Sequence, residues 1–196
     1  MTPKTLSIAA ATAALLVLLA VGLVQLAGGS TQARQPSTLT LAQMRRELAG
    51  SPPRLAALHA QANELLSGGQ AALRARLAAL RGTPVVINKW ASWCEPCRAE
   101  SAVFQRVSLS RGRQVAFIGI DSADSRAGAL AFLRSSPLSY PSYFDRSGAL
   151  GSAITDSAFT PVTVIYNRRG GMYIHQGPYP SVARLEQDIR RYALDA

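Results

Sequence analysis

VVINKWASWCEPCRAE, Val85 to Glu100, is the stretch that most constrains how this chain folds. Val85 to Trp90, with Pro84 before it, is β-branched and nearly continuous in apolar residues, as a strand buried on both faces should be. A helix begins just after Cys94 and runs to about Ser110, carrying Ala99, Ala102, Val103, Phe104 and Val107 as apolar positions. A cysteine at the first turn of a helix sits where unpaired backbone N–H groups and the helix dipole stabilise a thiolate, which lowers its pKa and makes it nucleophilic. Cys97 lies one turn further on, close enough to attack a mixed disulfide formed at Cys94 and expel its partner. Pro96 is tolerated because the first turn has no intrahelical bond for its missing N–H. Trp93 covers one side of the sulfur pair. These are the only two cysteines in the chain. A crosslink over so short a loop stabilises little, so a structural staple is the weaker explanation of the pair.

The N-terminus bears on the compartment. Leu6 to Ala27 is uncharged and predominantly apolar, with Lys4 before it. At about 20 residues or slightly more it is long enough to cross a bilayer as a helix. It exceeds the usual signal-peptide core of roughly 7 to 15 residues and lacks a clean A-x-A site after it, which favours a retained anchor over a cleaved signal. The basic end then stays in the cytoplasm and the remainder is extracytoplasmic, a single-pass protein of the cell membrane. The net charge of +10 comes almost entirely from arginines scattered through the outer part. No long basic block or aromatic-interleaved stripe occurs, so nucleic acid is not an expected partner. Attraction to an anionic membrane face or to acidic partners is the functional reading of that charge, and a solvated surface the bland one.

Along the chain, Gly28 to Pro53 is polar and rich in Gly, Ser, Thr, Gln and Pro, which suits a tether, with a short helical turn at Leu41 to Leu48. Leu55, Leu58, Ala62, Leu65 and Leu66 recur at helical spacing before Gly68-Gly69, and Leu73, Leu77 and Leu80 mark a second helix. Beyond the strand and helix already described, Gln114 to Asp121 reads as a second buried strand and Ser125 to Ser135 as a helix. Tyr143 to Asp145 reads as a short strand and Leu150 to Thr155 as a helical turn. PVTVIYN and MYIHQG, joined by RRGG, form a predicted antiparallel hairpin, and Ser181 to Leu194 a last helix. This order implies an α/β fold with a mixed central sheet and helices on both faces. The expected division is 1–27 as membrane anchor or signal segment, 28–69 as tether and helical extension, and 70–196 as the main domain.

With its flanking VVINKWAS and RAE, WCEPC resembles the thioredoxin fold, and specifically the membrane-anchored TlpA/ResA-like thiol-disulfide oxidoreductases of bacterial envelopes. AFTPVTVIYNRRG resembles the segment that holds that family's cis-proline, which would be Pro161, and HQGPYP the turn into the last helix, with Gly177 at the glycine position. The resemblance implies Cys94 as attacking thiolate, Cys97 as resolving thiol and the two as a redox-active disulfide. Trp93, Pro96, Thr160 and Pro161 would bind substrate, with Thr160 pairing its backbone to an extended client peptide. Glu100 falls where ResA-like reductases place an acid that manages protons; its other reading is an exposed helix glutamate. The buried acid that thioredoxin carries six residues before its first cysteine is replaced here by Asn88. No cofactor and no metal is implied; the partners would be protein thiol or disulfide clients and a membrane electron-transfer partner.

Three alternatives compete. A copper-handling or metal-binding protein of the same fold is disfavoured by the two-residue cysteine spacing, and no second C-x-x-C completes a zinc site. A structural envelope protein is disfavoured by Cys94, Cys97 and Pro161 being intact. A disulfide-forming oxidant differs only in direction. Glu95, between the cysteines, disfavours the thiolate and tips the expectation toward a reductant, with apocytochrome c maturation among the possible roles. His59 and His175 are lone histidines, a pattern more often structural than catalytic.

Overall fold

The computed structural model describes residues 39–196. The apolar run Leu6 to Ala27 lies outside them, and among the described residues no helix is long and apolar enough to cross a membrane. Residues 39–196 form one compact unit.

A short helix α1 (Leu41–Glu47) opens it, closed at its start by a reciprocal capping box between Thr40 and Gln43. Next come α2 (Pro53–His59), β1 (Leu65–Leu66), α3 (Gly69–Ala79) and β2 (Val85–Trp90). They are followed by α4 (Glu95–Arg111), β3 (Ala116–Ser122), α5 (Arg126–Ser135), β4 (Ser142–Asp145) and α6 (Ala149–Ile154). The hairpin β5 (Val162–Tyr166) and β6 (Met172–Gln176) leads to α7 (Val182–Ile189), which continues as a π-helical turn over Arg190–Leu194.

The six strands lie in the order β1-β4-β3-β2-β5-β6. β1, β4, β3 and β2 run parallel, and β5 and β6 are antiparallel to their neighbours, so the sheet is mixed as expected. Strand alternation divides the core in two. Val86, Trp90 and Phe117 face one layer with Phe104 of α4, Phe132 of α5 and Leu185 of α7. Val85, Ile87, Ile118 and Ile120 face the other, with Leu58 of α2, Leu73 of α3 and Leu150 of α6. β2 and β3 are buried at every residue, which accounts for their predominantly apolar sequences.

One sequence expectation fails. The helical spacing from Leu55 to Leu66 predicts a single helix, yet α2 ends at His59 and Leu65–Leu66 pair in parallel with Ser142 and Tyr143. Asn63 makes the break, with φ at 65°, a conformation asparagine tolerates better than most residues. Its side chain donates to the Leu133 carbonyl at 3.1 Å and accepts from the Leu138 N–H at 2.9 Å. Those long-range bonds outweigh local periodicity. β1 therefore falls inside the 28–69 segment, and Leu55 and Leu58 from that segment are buried in the second core layer.

Candidate functional site

The site forms where β2 ends. Cys94 has extended backbone angles and is the N-cap of α4, and its Sγ accepts from the Cys97 N–H at 3.2 Å. The helix start thus aims an orphan donor at the sulfur, the arrangement that stabilises a thiolate. Cys94 and Cys97 are joined as a disulfide and are almost fully buried. Pro96 sits in the first turn. Glu95 and Arg98 form an ion pair of 3.7 Å on the surface, with side chains 88 % and 55 % exposed, so the pair contributes little energy.

Antiparallel pairing of β5 with β2 brings Val162 opposite Lys89, and with it the loop just before β5 against the sulfurs. The Thr160 carbonyl oxygen lies 3.5 Å from the Cys94 Sγ, and the Thr160-Pro161 bond is cis. Cys94, Cys97, Thr160 and Pro161, named from sequence, therefore meet at one place. Trp93 adjoins them, 62 % exposed as a residue, with its indole N–H donated to the Ala123 carbonyl at 3.0 Å.

Glu100 is not an exposed helix glutamate: it is 1 % exposed. It follows Cys97 by one turn and precedes Phe104 by another, so it shares the inward face of α4. One carboxylate oxygen accepts from the Tyr179 N–H at 2.9 Å, and the other has no hydrogen-bond partner. Burial raises its pKa to about 7, against the smaller opposing effects of the Tyr179 N–H and the neighbouring Asn88 side chain. Asn88 Oδ1 and the Tyr140 hydroxyl are likewise buried without partners. Burial first, then the nearby Glu100 carboxyl, pushes the Tyr140 phenol far above its ordinary range.

Three further buried ionisable groups near the site escaped the sequence reading, and two of them, Asp124 and Lys89, brace it. Asp124 accepts from the Ser92 N–H, from the Ser92 hydroxyl at 3.0 Å and from the Ser125 N–H at 2.6 Å, tying the loop before Trp93 to the start of α5. Burial pushes its carboxyl upward, but these bonds together with the Asp121 side chain hold it below the ordinary value. Asp121 itself is fully buried with both oxygens unpartnered, and burial, then the Asp124 and Asp145 carboxylates, raises it to about 8. Lys89 donates to the Ser157 carbonyl at 2.7 Å and so anchors the segment that leads to Thr160. Burial lowers its ammonium pKa, partly opposed by Asp145. The signal was a charge inside each otherwise apolar strand, Lys89 in VVINKW and Asp121 in AFIGIDS. Phe159, 68 % exposed just before Thr160, is the second open aromatic residue at the site.

His175 stacks on Tyr179 with ring centroids 4.0 Å apart, and His59 is buried on α2. The hydrogen-bond partners of the Cys94 sulfur are the Thr160 carbonyl and the Cys97 N–H, not a histidine. Among the described residues no group of three or more His, Cys, Asp or Glu side chains is arranged to hold a metal ion.

Comparison with known proteins agrees with this geometry. The thiol:disulfide interchange protein DsbE of Escherichia coli (strain K12) is 38 % identical over 72 residues, 36 % of this chain and 37 % of that protein. The thioredoxin-like protein YneN of Bacillus subtilis (strain 168) is 29 % identical over 101 residues, covering 50 % of this chain and 58 % of its own length. The matches thus span between about a third and somewhat over half of these relatives. Among solved structures, a secreted Mycobacterium tuberculosis disulfide oxidoreductase homologous to E. coli DsbE superposes with a TM-score of 0.51 at 24 % identity, over 58 % of this chain and 83 % of that one. A thioredoxin-family thiol:disulfide interchange protein from Chlorobium tepidum TLS gives 0.51 at 22 % identity, over 58 % and 82 %. At those identities the likeness is one of fold. It agrees with the mixed α/β sheet described above, and the TlpA/ResA-like resemblance of the motifs stands. Residues 63–189, well over half of the chain, match the Redoxin family from just before β1 to the end of α7, and this thioredoxin-fold protein belongs to that family.

Proposed function

We propose that the protein exchanges disulfides with protein clients as an extracytoplasmic thiol-disulfide oxidoreductase, held at the membrane by Leu6 to Ala27. The observation that carries the reading is the capped Cys94 sulfur, 3.5 Å from the Thr160 carbonyl and receiving the Cys97 N–H, with an exposed aromatic residue next in sequence to each of Cys94 and Thr160. Similarity to relatives named for thiol:disulfide interchange supports it.

In the reducing direction the Cys94 thiolate attacks a client disulfide, forming a mixed disulfide and releasing one client thiolate. Cys97 then loses its proton and attacks the Cys94 sulfur, which releases the second client thiolate and leaves the Cys94–Cys97 disulfide. Two electrons pass from the protein to the client, and a membrane partner returns them. Glu100, one turn from Cys97 with a carboxyl near neutrality, takes the Cys97 proton. Trp93, Pro96 and Phe159 flank the client segment, while Thr160 and Pro161 align its backbone.

The reducing direction is favoured by the Glu95 carboxylate at the first turn of α4, which makes the Cys94 thiolate costlier and the pair a weaker oxidant. A reversible two-electron midpoint below about −230 mV supports a reductant, with cytochrome c maturation as one such role, and one above about −180 mV makes it an oxidant. Substitution tests the chemistry itself. Cys94→Ser abolishes turnover, whereas Cys97→Ser accumulates a mixed disulfide that non-reducing electrophoresis resolves. Turnover retained in both variants would sink the proposal.

A further inference from the structure

The end of the sheet remote from the disulfide presents a different surface. β2 runs from Val85 toward Cys94 and β5 runs back, so Tyr166 stands beside Val85. The β5–β6 turn, the residues leading into β3 and the end of α3 therefore gather about 20 Å from the sulfurs, the length of a six-residue strand. Two adjoining depressions open there and share Gly82, Thr83 and Arg168. One, of about 440 Å³, has Leu77, Leu80, Val85 and Tyr166 in its lining, with Arg81, Arg168 and Arg169. The other adds Arg54 and Arg113.

All five arginines are exposed. Arg54 donates to the Arg81 carbonyl at 2.7 Å and Arg113 to the Glu47 carbonyl at 2.8 Å, bonds that orient the guanidinium groups without neutralising them. Among the described residues the ion pairs involve other cations, namely Arg98, Arg111, Arg184 and His175. Residues 1–38 contain no aspartate or glutamate, so that stretch supplies no countercharge. The result is a face of concentrated positive charge with an apolar hollow in it.

We propose that this face docks on the anionic phosphate headgroups of a phospholipid bilayer, so that the disulfide points away from the membrane toward its clients. Planar guanidinium forks match phosphate oxygens, and an apolar hollow beside them suits the glycerol and upper acyl region of a lipid. An acidic protein would satisfy the charge but gives the hollow no particular role. α1, the first described helix, ends here, at Glu47, whose carbonyl Arg113 holds. Residues 28–38, between the apolar run and α1, reach at most roughly 40 Å when fully extended. The proposal rests on the anchored reading for where the lipid is, and on nothing in the thiol chemistry.

The test uses the full-length chain in nanodiscs of phosphatidylcholine alone or mixed with phosphatidylglycerol, read by amide hydrogen exchange. Segments 81–84 and 167–171 are expected to exchange several-fold more slowly on the anionic discs, while segments containing Trp93 and Phe159 are unchanged. High salt should erase the difference. Each basic residue near an anionic surface is worth roughly fivefold in affinity, so Arg81→Gln, Arg168→Gln and Arg169→Gln together should weaken docking by roughly a hundredfold. The triple variant should keep its melting temperature and its rate with a small disulfide. Equal exchange on both discs, or protection centred on Trp93, would overturn the proposal. So would protection by soluble poly-glutamate equal to that by anionic lipid, which would assign the face to an acidic polypeptide. A chain not retained by neutral discs fails the anchored reading instead, and the same exchange measurement on phosphatidylglycerol vesicles then decides the docking.

Discussion

Replacing Glu100 with glutamine isolates the one buried carboxyl on the helix that carries both cysteines. The carboxyl is 1 % exposed and its pKa is raised by burial from an ordinary 4.5 to about 7. A rise of that size corresponds to about 3 kcal/mol. Its sign follows from proton counting. Below the unfolded value of 4.5 the carboxyl is protonated in the folded and unfolded chains alike, and the neutral buried acid contributes fully. Between there and about 7 the unfolded chain releases the proton while the folded chain keeps it, so stability falls as pH rises. Above about 7 both are ionised and the loss is complete. Glutamine has no proton to lose and still accepts from the Tyr179 N–H.

Urea unfolding of wild type and Glu100→Gln, with the disulfide intact and at a series of pH values, reads this directly. Every other titrating group is common to both chains and cancels in the difference. The stability of the variant relative to wild type should climb by about 3 kcal/mol between mildly acidic and mildly alkaline buffer. The exchange rate of wild type with a disulfide client should bend near neutrality, and that of the variant should not. Stability curves that stay parallel across the range would refute the buried-acid argument, and a bend kept in the variant would move the proton-handling role elsewhere.

Phe159→Ala should raise the KM for a disulfide-bearing protein client by about tenfold while leaving the rate with a small disulfide unchanged, as expected of an exposed aromatic anchor. Equal loss on both substrates would place Phe159 in loop structure instead. Asp124→Ala removes acceptors for Ser92 and Ser125 and should cost about 2 to 4 kcal/mol in urea unfolding, with faster amide exchange around Trp93. Because the Asp124 carboxyl is held low, its contribution is present above the ordinary carboxylate range and fades as pH falls through the lowered value. An unchanged urea midpoint would show that the loop is held by other contacts.

Much of this was legible in the chain because its chemistry is local. A helix-capping cysteine, a proline in the first turn and a buried strand before them are all written between Val85 and Glu100, and β2, α4 and the Cys94 environment follow. The hairpin was legible for the same reason, from two apolar runs around RRGG. What was not legible depends on distant partners. Leu65 and Leu66 keep helical spacing but are claimed by β4, because Asn63 is bonded to Leu133 and Leu138. Asp124 looks like an ordinary polar residue until its partner at Ser92 is known, and Lys89, conspicuous as a charge in an apolar strand, shows its role only once its partner at Ser157 is known. Glu100 was partly legible, since Cys97, Glu100, Phe104 and Val107 are spaced as one helical stripe, and that stripe is the buried one.

The exchange of a strand acid for a helix acid has a simple spatial reason. Asn88 on β2 and Glu100 on α4 come from opposite sides of one buried space, close enough that each influences the titration of Glu100 or of Tyr140 beside it. Two carboxyls there would repel, and one would be held neutral at the expense of the other. Asparagine fills the strand position with a neutral group of similar shape, so a single acid remains, and it comes from the helix that carries both cysteines. The distance from that acid to Cys97 is then fixed by one turn of α4 rather than by packing between layers. An acid on α4 keeps its spacing to Cys97 whatever the packing between layers, and this is what makes Glu100 the candidate to take that thiol's proton.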